Sequence, residues 1–348
     1  MVFRKLLRMR ADLFDYVLPP ERIAQFPLAE REQAKLLCLD RKKGTWTNKH
    51  IFDLPEILKP GDLLVFNNTK VFNARLQARQ EGEKTSFEVF LLHPEGSEWA
   101  ALIRGLRKIE LEETLVFADG SSAVLKKKEP DGVALLDFQR SVEGVFTLCE
   151  QHGSIPPPPY VKTELTSEKD YQTIYADPRG SVAAPTAGFH FTSALLEELS
   201  NRGIRHAFLT LHVGLGTFRP MQSTTLEEHQ MHAEWIHIPK ETVALIEATK
   251  QAGHRVIAVG TTTTRALESA ARETGTLRPF EGFTDIFITP GYDFRVIDGL
   301  LTNFHLPKST LIVLVSAFAG REQTLAAYQH AVTENYRFYS FGDAMLIL

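Results

Sequence analysis

Several stretches of this chain set hydroxyls, imidazoles and small residues side by side, a combination suited to binding and proton transfer. In VIAVGTTTTRALES (256–269) an apolar run leads through Gly260 into four threonines and then Arg265. Free amides at a helix start, with the hydroxyls of Thr261 and Thr262 and the Arg265 guanidinium, suit a carboxylate, a phosphate or a ribose edge. A single threonine would serve as a plain helix cap, so four in a row ask for a further reason. The glycine spacing of a dinucleotide site is absent, which argues against hydride transfer.

Four other stretches share this character. GSVAAPTAGFHFT (180–192) places almost no side chain before His190, which stands between Phe189 and Phe191. LTLHVGLGTFRP (209–220) puts His212 on a strand-like alternation and follows it with Gly214 and Gly216, where backbone can approach a ligand closely. EEHQMHAEW (227–235) carries His229, His232 and Glu234; on a helix the two imidazoles would share a face, which raises a metal reading, but no H-E-x-x-H motif accompanies it. LLTNFHLPKSTL (300–311) gathers Asn303, His305, Lys308 and Ser309 ahead of an apolar element, where capping of the next helix competes with ligand binding.

The elements that must hold these residues divide the chain into three zones. Roughly 11–66 mixes short elements, with KLLCLDR and GDLLVFN reading as buried strands. Roughly 67–152 reads as strands throughout, recurring at the spacing of a small barrel or sandwich: TSFEVFLL, EWAALIRG, ETLVFADG, SSAVLKK and GVALLDF. No helical period stands out there. LKKKEPDG reads as a solvated hairpin end, and the prolines of IPPPPY stiffen the exit. From 160 onward helices and strands alternate: a helix capped by Thr192, the strand RHAFLTLHVG, the helix KETVALIEATKQAG and the strand HRVIAVG. Then come TTTTR as a loop and a helix starting near Arg265. This is the grammar of an α/β sheet. The expected fold is therefore an α/β main body (1–66 and 153–348) with a smaller inserted β-barrel (67–152). FNNTKVFNARL (66–76), with Asn67, Asn68, Thr69, Lys70 and Arg75, falls at the border of the two, where clefts tend to form.

Composition narrows the class. The 348 residues carry 39 Lys and Arg against 43 Asp and Glu, a net charge of −4, so no bulk basic character points to nucleic acid. Two cysteines are too few for a disulfide framework and fit a reducing cytosol. No apolar run reaches the roughly 20 residues of a membrane span. The basic start MVFRKLLRMR is not followed by an apolar stretch, so no secretory signal is expected, and residues 1–8 read as a short extension or an upstream start.

Ordered along the chain, FDYVLPPERIAQFPLAER, GDLLVFNNTKVFNARL, PPPPYVK, DYQTIYA, GSVAAPTAGFHFT, LTLHVGLGTF, HQMHAEW, VIAVGTTTTRALES, LLTNFHLPKSTLIVLVSAFAG and YRFYSFGDAMLI resemble one family, the S-adenosylmethionine:tRNA ribosyltransferase-isomerases of queuosine biosynthesis. The resemblance runs from about residue 10 to the C-terminus. It implies an α/β body with a β-barrel and a tRNA substrate bearing 7-aminomethyl-7-deazaguanine at the wobble position. S-adenosylmethionine would be consumed as ribosyl donor, giving epoxyqueuosine, adenine and methionine. The sulfonium acidifies the neighbouring C5′ protons, a base removes one, adenine leaves as the sugar opens, and the aminomethyl nitrogen attacks.

On that reading His190, His212, His232 and His305 are the candidates for proton transfer, left unranked. Thr261, Thr262 and Arg265 would hold the methionine carboxylate or the ribose. Further substrate contacts are expected from Asn67, Thr69, Arg75, Tyr171, Pro185, Thr186, Gly214, Gly216, Thr217, Glu234, Asn303, Lys308 and Ser309. A cytosolic monomer with no metal and no resident cofactor is expected. The chain departs from the family pattern at Ala34-Lys35 (Ser-Arg), Asn68 (Asp), Lys70 (Arg), Asn73 (Pro), Leu215 (Ala), Ala233 (Ser) and Thr263-Thr264 (Ser-Val). Exchanging arginine forks and a carboxylate changes what bidentate recognition is possible. Three other readings stand beside this one: a diverged paralogue acting on another modified base, a metal-dependent hydrolase using His229, His232 and Glu234, and a non-catalytic RNA-binding module. An aromatic-plus-basic stripe of the RNA-recognition type, which the last would use, is missing.

Overall fold

The computed structural model describes residues 9–82, 85–130, 132–155, 158, 160–162, 168–214 and 221–348. In chain order its first strands are β1 (Lys35–Asp40), β2 (Thr45–His50), β3 (Leu63–Asn67), β4 (Lys70–Val71), β5 (Arg75–Gln80) and β6 (Ser86–Glu95). These are followed by β7 (Glu98–Ile103), β8 (Thr114–Phe117), β9 (Ser122–Lys128), β10 (Val133–Asp137), β11 (Arg179–Ser181) and β12 (Arg205–Leu211). The last are β13 (Glu234–Ile238), β14 (Val256–Val259), β15 (Phe280–Thr284), β16 (Gly299–Asn303) and β17 (Ala344–Ile347). The helices are α1 (Leu54–Ile57), α2 (Val142–His152), α3 (Ser193–Asn201), α4 (Lys240–Gln251), α5 (Thr261–Arg272), α6 (Thr310–Ala319) and α7 (Arg321–Thr333). The chain divides into two compact units. The larger comprises the N-terminal part to Asn68, Pro158–Ala176 and Pro185–Leu348, and the smaller Thr69–Pro157 and Asp177–Ala184.

The larger unit is built on a nine-stranded sheet in the order β15-β13-β12-β3-β14-β16-β17-β1-β2. At its centre β12, β3, β14 and β16 run parallel, while β17 and β1 run the opposite way. Every residue of β3, β14, β16 and β17 is buried, as expected of central strands covered on both faces, and this is why they read as unbroken apolar runs. One face packs Leu36, Leu64, Phe66, Ile257, Val259, Leu301 and Leu346 against Leu54 of α1, Leu195 and Leu199 of α3, and the turn residues Ala187 and Phe191. Phe66 and Phe191 meet edge to face at 4.8 Å. Helix α5 lies against β3, β12, β14 and β16, and α6 packs between α5 and α7.

The helix starts show why these segments are helical. Thr192 accepts a hydrogen bond from Leu195 N at 3.1 Å at the head of α3, the capping role expected of it. Helix α5, in contrast, begins at Thr261 with Gly260 as its cap, so the four threonines lie inside the helix and not in a loop ahead of it. Threonine is a poor helix former, which made a start at Arg265 the natural expectation. Burial overrides that preference: the Thr263 and Thr264 hydroxyls bond the carbonyls of Val259 (2.8 Å) and Gly260 (3.2 Å), four residues back.

The smaller unit contains the expected barrel, closed in the order β10-β7-β6-β5-β8-β9. Its strands alternate inward Leu76, Ala78, Phe87, Val89, Leu115, Phe117, Ala123 and Leu125 with outward polar residues. The expectation of strands throughout 67–152 is corrected by α2, which caps on Ser141 and buries Val145, Phe146, Leu148 and Cys149 on one face. Phe146 stands edge to face with Phe72 (5.2 Å) and Trp99 (5.3 Å), so aromatic packing with the barrel unit holds this 11-residue helix. The proline run 155–160 lies largely outside the described residues.

Candidate active site

Strand direction creates the site. The C-terminal ends of β12, β3, β14 and β16 and the N-terminal starts of β17 and β1 all meet one edge of the large sheet. Such an edge of an open α/β sheet is where ligands bind. Asn67, the last residue of β3, uses its side chain as a substitute peptide: Oδ1 accepts from Leu211 N at 3.0 Å and Nδ2 donates to Leu211 O at 2.9 Å. The same Nδ2 lies 3.4 Å from Thr262 Oγ1, joining three element ends. Next to it Asn68 Oδ1 accepts from the Thr210 hydroxyl at 2.8 Å, an acceptor role that the family's carboxylate would also fill.

Gly260 turns the chain from β14 into α5 at φ +95°, and a Cβ there would sit 3.6 Å from the Ala187 methyl. The turn Thr186–His190 therefore lies directly over the start of α5. Gly188 within that turn has no room for a side chain, since a Cβ would come 2.1 Å from the Tyr175 hydroxyl oxygen and 2.8 Å from Thr173 Cγ2. Arg265, 2% exposed, forms an ion pair with Glu234, 4% exposed, at the start of β13. Its Nε donates to Ile286 O at 3.3 Å, and Nη2 is buried with no partner. Glu234 Oε1 in turn accepts from Gly214 N at 2.9 Å, tying the end of the β12 segment to β13. Most of the Arg265 guanidinium is thus engaged inside the protein, leaving one amino group to spare.

The four candidate histidines have distinct surroundings. His190 is 4% exposed. Burial pushes its pKa down to about 4, with the nearby Arg31 and Arg337 charges adding to the shift and a hydrogen bond to the Arg31 backbone opposing it. Its Nε2 lies 3.4 Å from Asn303 Nδ2, which also donates to Tyr339 O at 3.0 Å; Asn303 Oδ1 is buried without a partner. Burial takes His305 down to about 3, and its Nε2 meets the Thr302 hydroxyl at 2.9 Å. Its backbone is clamped at both polar atoms, with His305 N donating to Tyr328 Oη (3.2 Å) and the Tyr16 hydroxyl donating to His305 O (2.5 Å). His212 stacks on Trp235 at 4.9 Å, and burial lowers it to about 4. All three are neutral imidazoles at pH 7. His232 is exposed, and the 227–233 segment is not helical, so the shared helical face imagined for His229 and His232 does not form.

A small, solvent-open cleft borders His190, lined by Pro27, Leu28, Arg31, Ala34, Phe189, Ser340, Phe341 and Gly342. Phe189 and Phe341 lie 6.0 Å apart at 19°, and Tyr171 closes on Phe189 from the edge at 5.7 Å. Tyr171 is fully buried and acts as a wall behind the cleft. Asp343 accepts from Lys35 N (2.8 Å) and Arg337 N (2.7 Å), pinning the C-terminal turn to the start of β1, and burial pushes its pKa up. The Lys35 ammonium donates to Glu334 O at 2.8 Å and lies over the Tyr336 ring at 5.1 Å.

Arg31, Arg337, Ser340, Phe341 and Asp343 were not singled out as site residues. Their signal lies in two of the family-like stretches, FDYVLPPERIAQFPLAER, which ends at Arg31, and YRFYSFGDAMLI, which holds the other four. Ser309 is accounted for by capping α6, where it accepts from Ile312 N at 3.4 Å and donates to Leu306 O at 2.8 Å. Lys308 pairs with Asp15 at 2.7 Å and is largely exposed. Pro185 and Thr186 open the turn over α5. Thr69 and Arg75 belong to the smaller unit, where Arg75 on β5 pairs with Glu88 on the neighbouring β6 at 3.7 Å. Gly216 and Thr217 lie outside the described residues, as does Leu215.

Two comparisons bear on this geometry. A family described as "Queuosine biosynthesis protein" matches residues 11–347. The crystal structure of an S-adenosylmethionine tRNA ribosyltransferase from Thermotoga maritima is 38% identical in sequence, with a TM-score of 0.55; the match covers 97% of this chain and 100% of that one.

Proposed function

As the chain belongs to the queuosine biosynthesis protein family, we propose that it transfers and isomerises the ribosyl moiety of S-adenosylmethionine onto 7-aminomethyl-7-deazaguanine at the tRNA wobble position. Epoxyqueuosine in the tRNA, adenine and methionine would be the products. The observation that carries this reading is a match running from residue 11 to 347, together with 38% identity to a tRNA ribosyltransferase over nearly all of both chains.

The sheet edge supplies groups suited to each demand of that chemistry. The free amides and hydroxyls of Thr261 and Thr262 at the head of α5, with the spare Arg265 Nη2, would bind the methionine carboxylate or the ribose oxygens. His305, held neutral by burial with Nε2 at the Thr302 hydroxyl, and His190, whose Nε2 would first give up the Asn303 Nδ2 donor, would accept a proton from the acidified C5′ carbon. Asn303 and Thr302 fix the orientation of the two rings before substrate binds. His212, stacked on Trp235, is the third candidate, and His232, exposed and in irregular chain, the weakest. Action in the cytosol, as a monomer and without a resident cofactor, belongs to the same proposal. Among the described residues no helix is long and apolar enough to cross a membrane.

The metal-hydrolase reading draws no support from the geometry, because Glu234 is committed to Arg265 and Gly214 and His229 packs on Phe287 at 5.3 Å. The decisive experiment incubates the protein with S-adenosylmethionine and tRNA bearing the aminomethyl base. Equal release of adenine and methionine with a heavier tRNA nucleoside is expected. Absence of release with competent tRNA would overturn the reading.

A further inference from the structure

We propose that Phe26, held by Arg337 and next to the cleft that Arg31 lines, is a stacking platform for one unpaired nucleotide of the RNA substrate, set at the mouth of the His190 cleft. This rests on the tRNA reading above and extends it to a residue outside the reacting groups. Phe26 is 62% exposed, yet the chain around it is firmly held. On its N-terminal side Ala24 N donates to Phe338 O at 3.2 Å, Phe338 N donates to Arg22 O at 2.8 Å, and Gln25 Nε2 donates to Tyr160 O at 3.1 Å. At Phe26 itself the carbonyl accepts from Arg337 Nη2, and Pro27 and Leu28 immediately after it line the cleft. A large apolar ring is therefore displayed to solvent from a fixed backbone, beside a cavity.

The charges around it fit the same occupant. Arg31 and Arg337 both lie close enough to His190 to act on its protonation, and burial lowers the pKa of each guanidinium. Arg337 Nη1 is buried without a partner. Arg31 Nη1 donates to Gln172 O at 3.2 Å and Arg337 Nη2 to Phe26 O, so backbone carbonyls hold both cations in place. Partly desolvated cations gain most from an approaching phosphate, and an exposed aromatic offers a π-face that any base can cover. For a protein of net charge −4, RNA affinity must come from such local arrangements and not from bulk charge.

The test compares Phe26→Ala, Phe26→Leu and Phe26→Trp with the unaltered protein. It measures binding of a fluorescein-labelled anticodon stem-loop, KM for tRNA and kcat for adenine release, and the thermal midpoint. Removing the stacking surface in F26A should weaken RNA binding roughly 5- to 100-fold and raise KM for tRNA similarly, with kcat at saturating tRNA and the thermal midpoint unchanged. F26L, which keeps apolar area without a π-face, should behave like F26A, while F26W should bind as tightly as the unaltered protein or better. Equal RNA affinity in F26A and the unaltered protein would overturn the proposal while leaving the enzymatic reading intact, and so would full affinity in F26L. Absence of adenine release from the unaltered protein with tRNA bearing the aminomethyl base would overturn the enzymatic reading, and this inference with it.

Discussion

Asn303 Nδ2 lies 3.4 Å from His190 Nε2 although the two residues are 113 positions apart in the chain. The contact joins the end of β16 to the turn over α5, and the same amide also satisfies Tyr339 O at 3.0 Å. One side chain thus sets the orientation of the imidazole and the position of the C-terminal turn that walls the cleft.

Replacing Asn303 by alanine should therefore weaken both stability and turnover. The Tyr339 carbonyl loses its donor, at a cost of about 1–3 kcal/mol. Adenine release should fall more than tenfold as His190 loses its orienting donor. Urea unfolding and a single-turnover assay would measure the two effects, and unchanged turnover in a folded N303A would remove Asn303 from the site.

The buried Glu234–Arg265 pair yields an asymmetric prediction. Arg265→Met leaves the Glu234 carboxylate buried beside an apolar chain, and removing one partner of such a pair costs about 3–5 kcal/mol. Replacing both, as in R265M/E234L, should recover part of the loss despite the missing Gly214 hydrogen bond. Denaturant midpoints of the three variants decide it, and a double variant worse than R265M plus E234L taken separately would contradict the pairing.

Three depressed histidines give stability a defined pH dependence. His190 and His212 at about 4 and His305 at about 3 titrate below their unfolded value near 6.5. Below 6.5 the unfolded chain binds more protons than the folded one, so stability is fully present above pH 6.5 and is lost as pH falls toward 4. Asp343, pushed up by burial, works with the opposite sign at the acid end. Unfolding free energy measured at pH 7.5, 6.0 and 5.0 should decline monotonically, with a shallower decline in His190→Asn. A flat profile across that range would contradict the burial of these rings as neutral species.

Gly188 marks the tightest point of the site. An added methyl would collide with the Tyr175 hydroxyl oxygen at 2.1 Å, so Gly188→Ala should destabilise by about 1–3 kcal/mol, as overpacking generally does. G188A combined with Tyr175→Phe should recover part of that loss. Thermal midpoints would show it, and no recovery would mean that Thr173, at 2.8 Å, is the dominant obstacle.

Much of the architecture was legible from residue types alone, and for stated reasons. Central strands such as β3 and β14 are buried on both faces and must be continuously apolar, while barrel strands are wetted on one face and must alternate. Thr192 and Ser309 announce helices because a cap is satisfied within three residues of itself. The same local reasoning misplaced the start of α5 and passed over α2, since both depend on burial. Threonines become helical where their hydroxyls can return to the β14 carbonyls, and α2 stands because Phe146 finds Phe72 and Trp99.

The site divides along the same line. Residue types in short glycine-rich stretches were enough to mark Asn67, His190, Arg265 and Asn303 as worth watching. That Arg265 faces Glu234, that Asn67 stands in for a peptide of β12, and that Arg31, Arg337 and Asp343 gather around His190 depends on which strands lie side by side and in which direction. Strand order joins residues from distant parts of the chain, and only the folded sheet contains it.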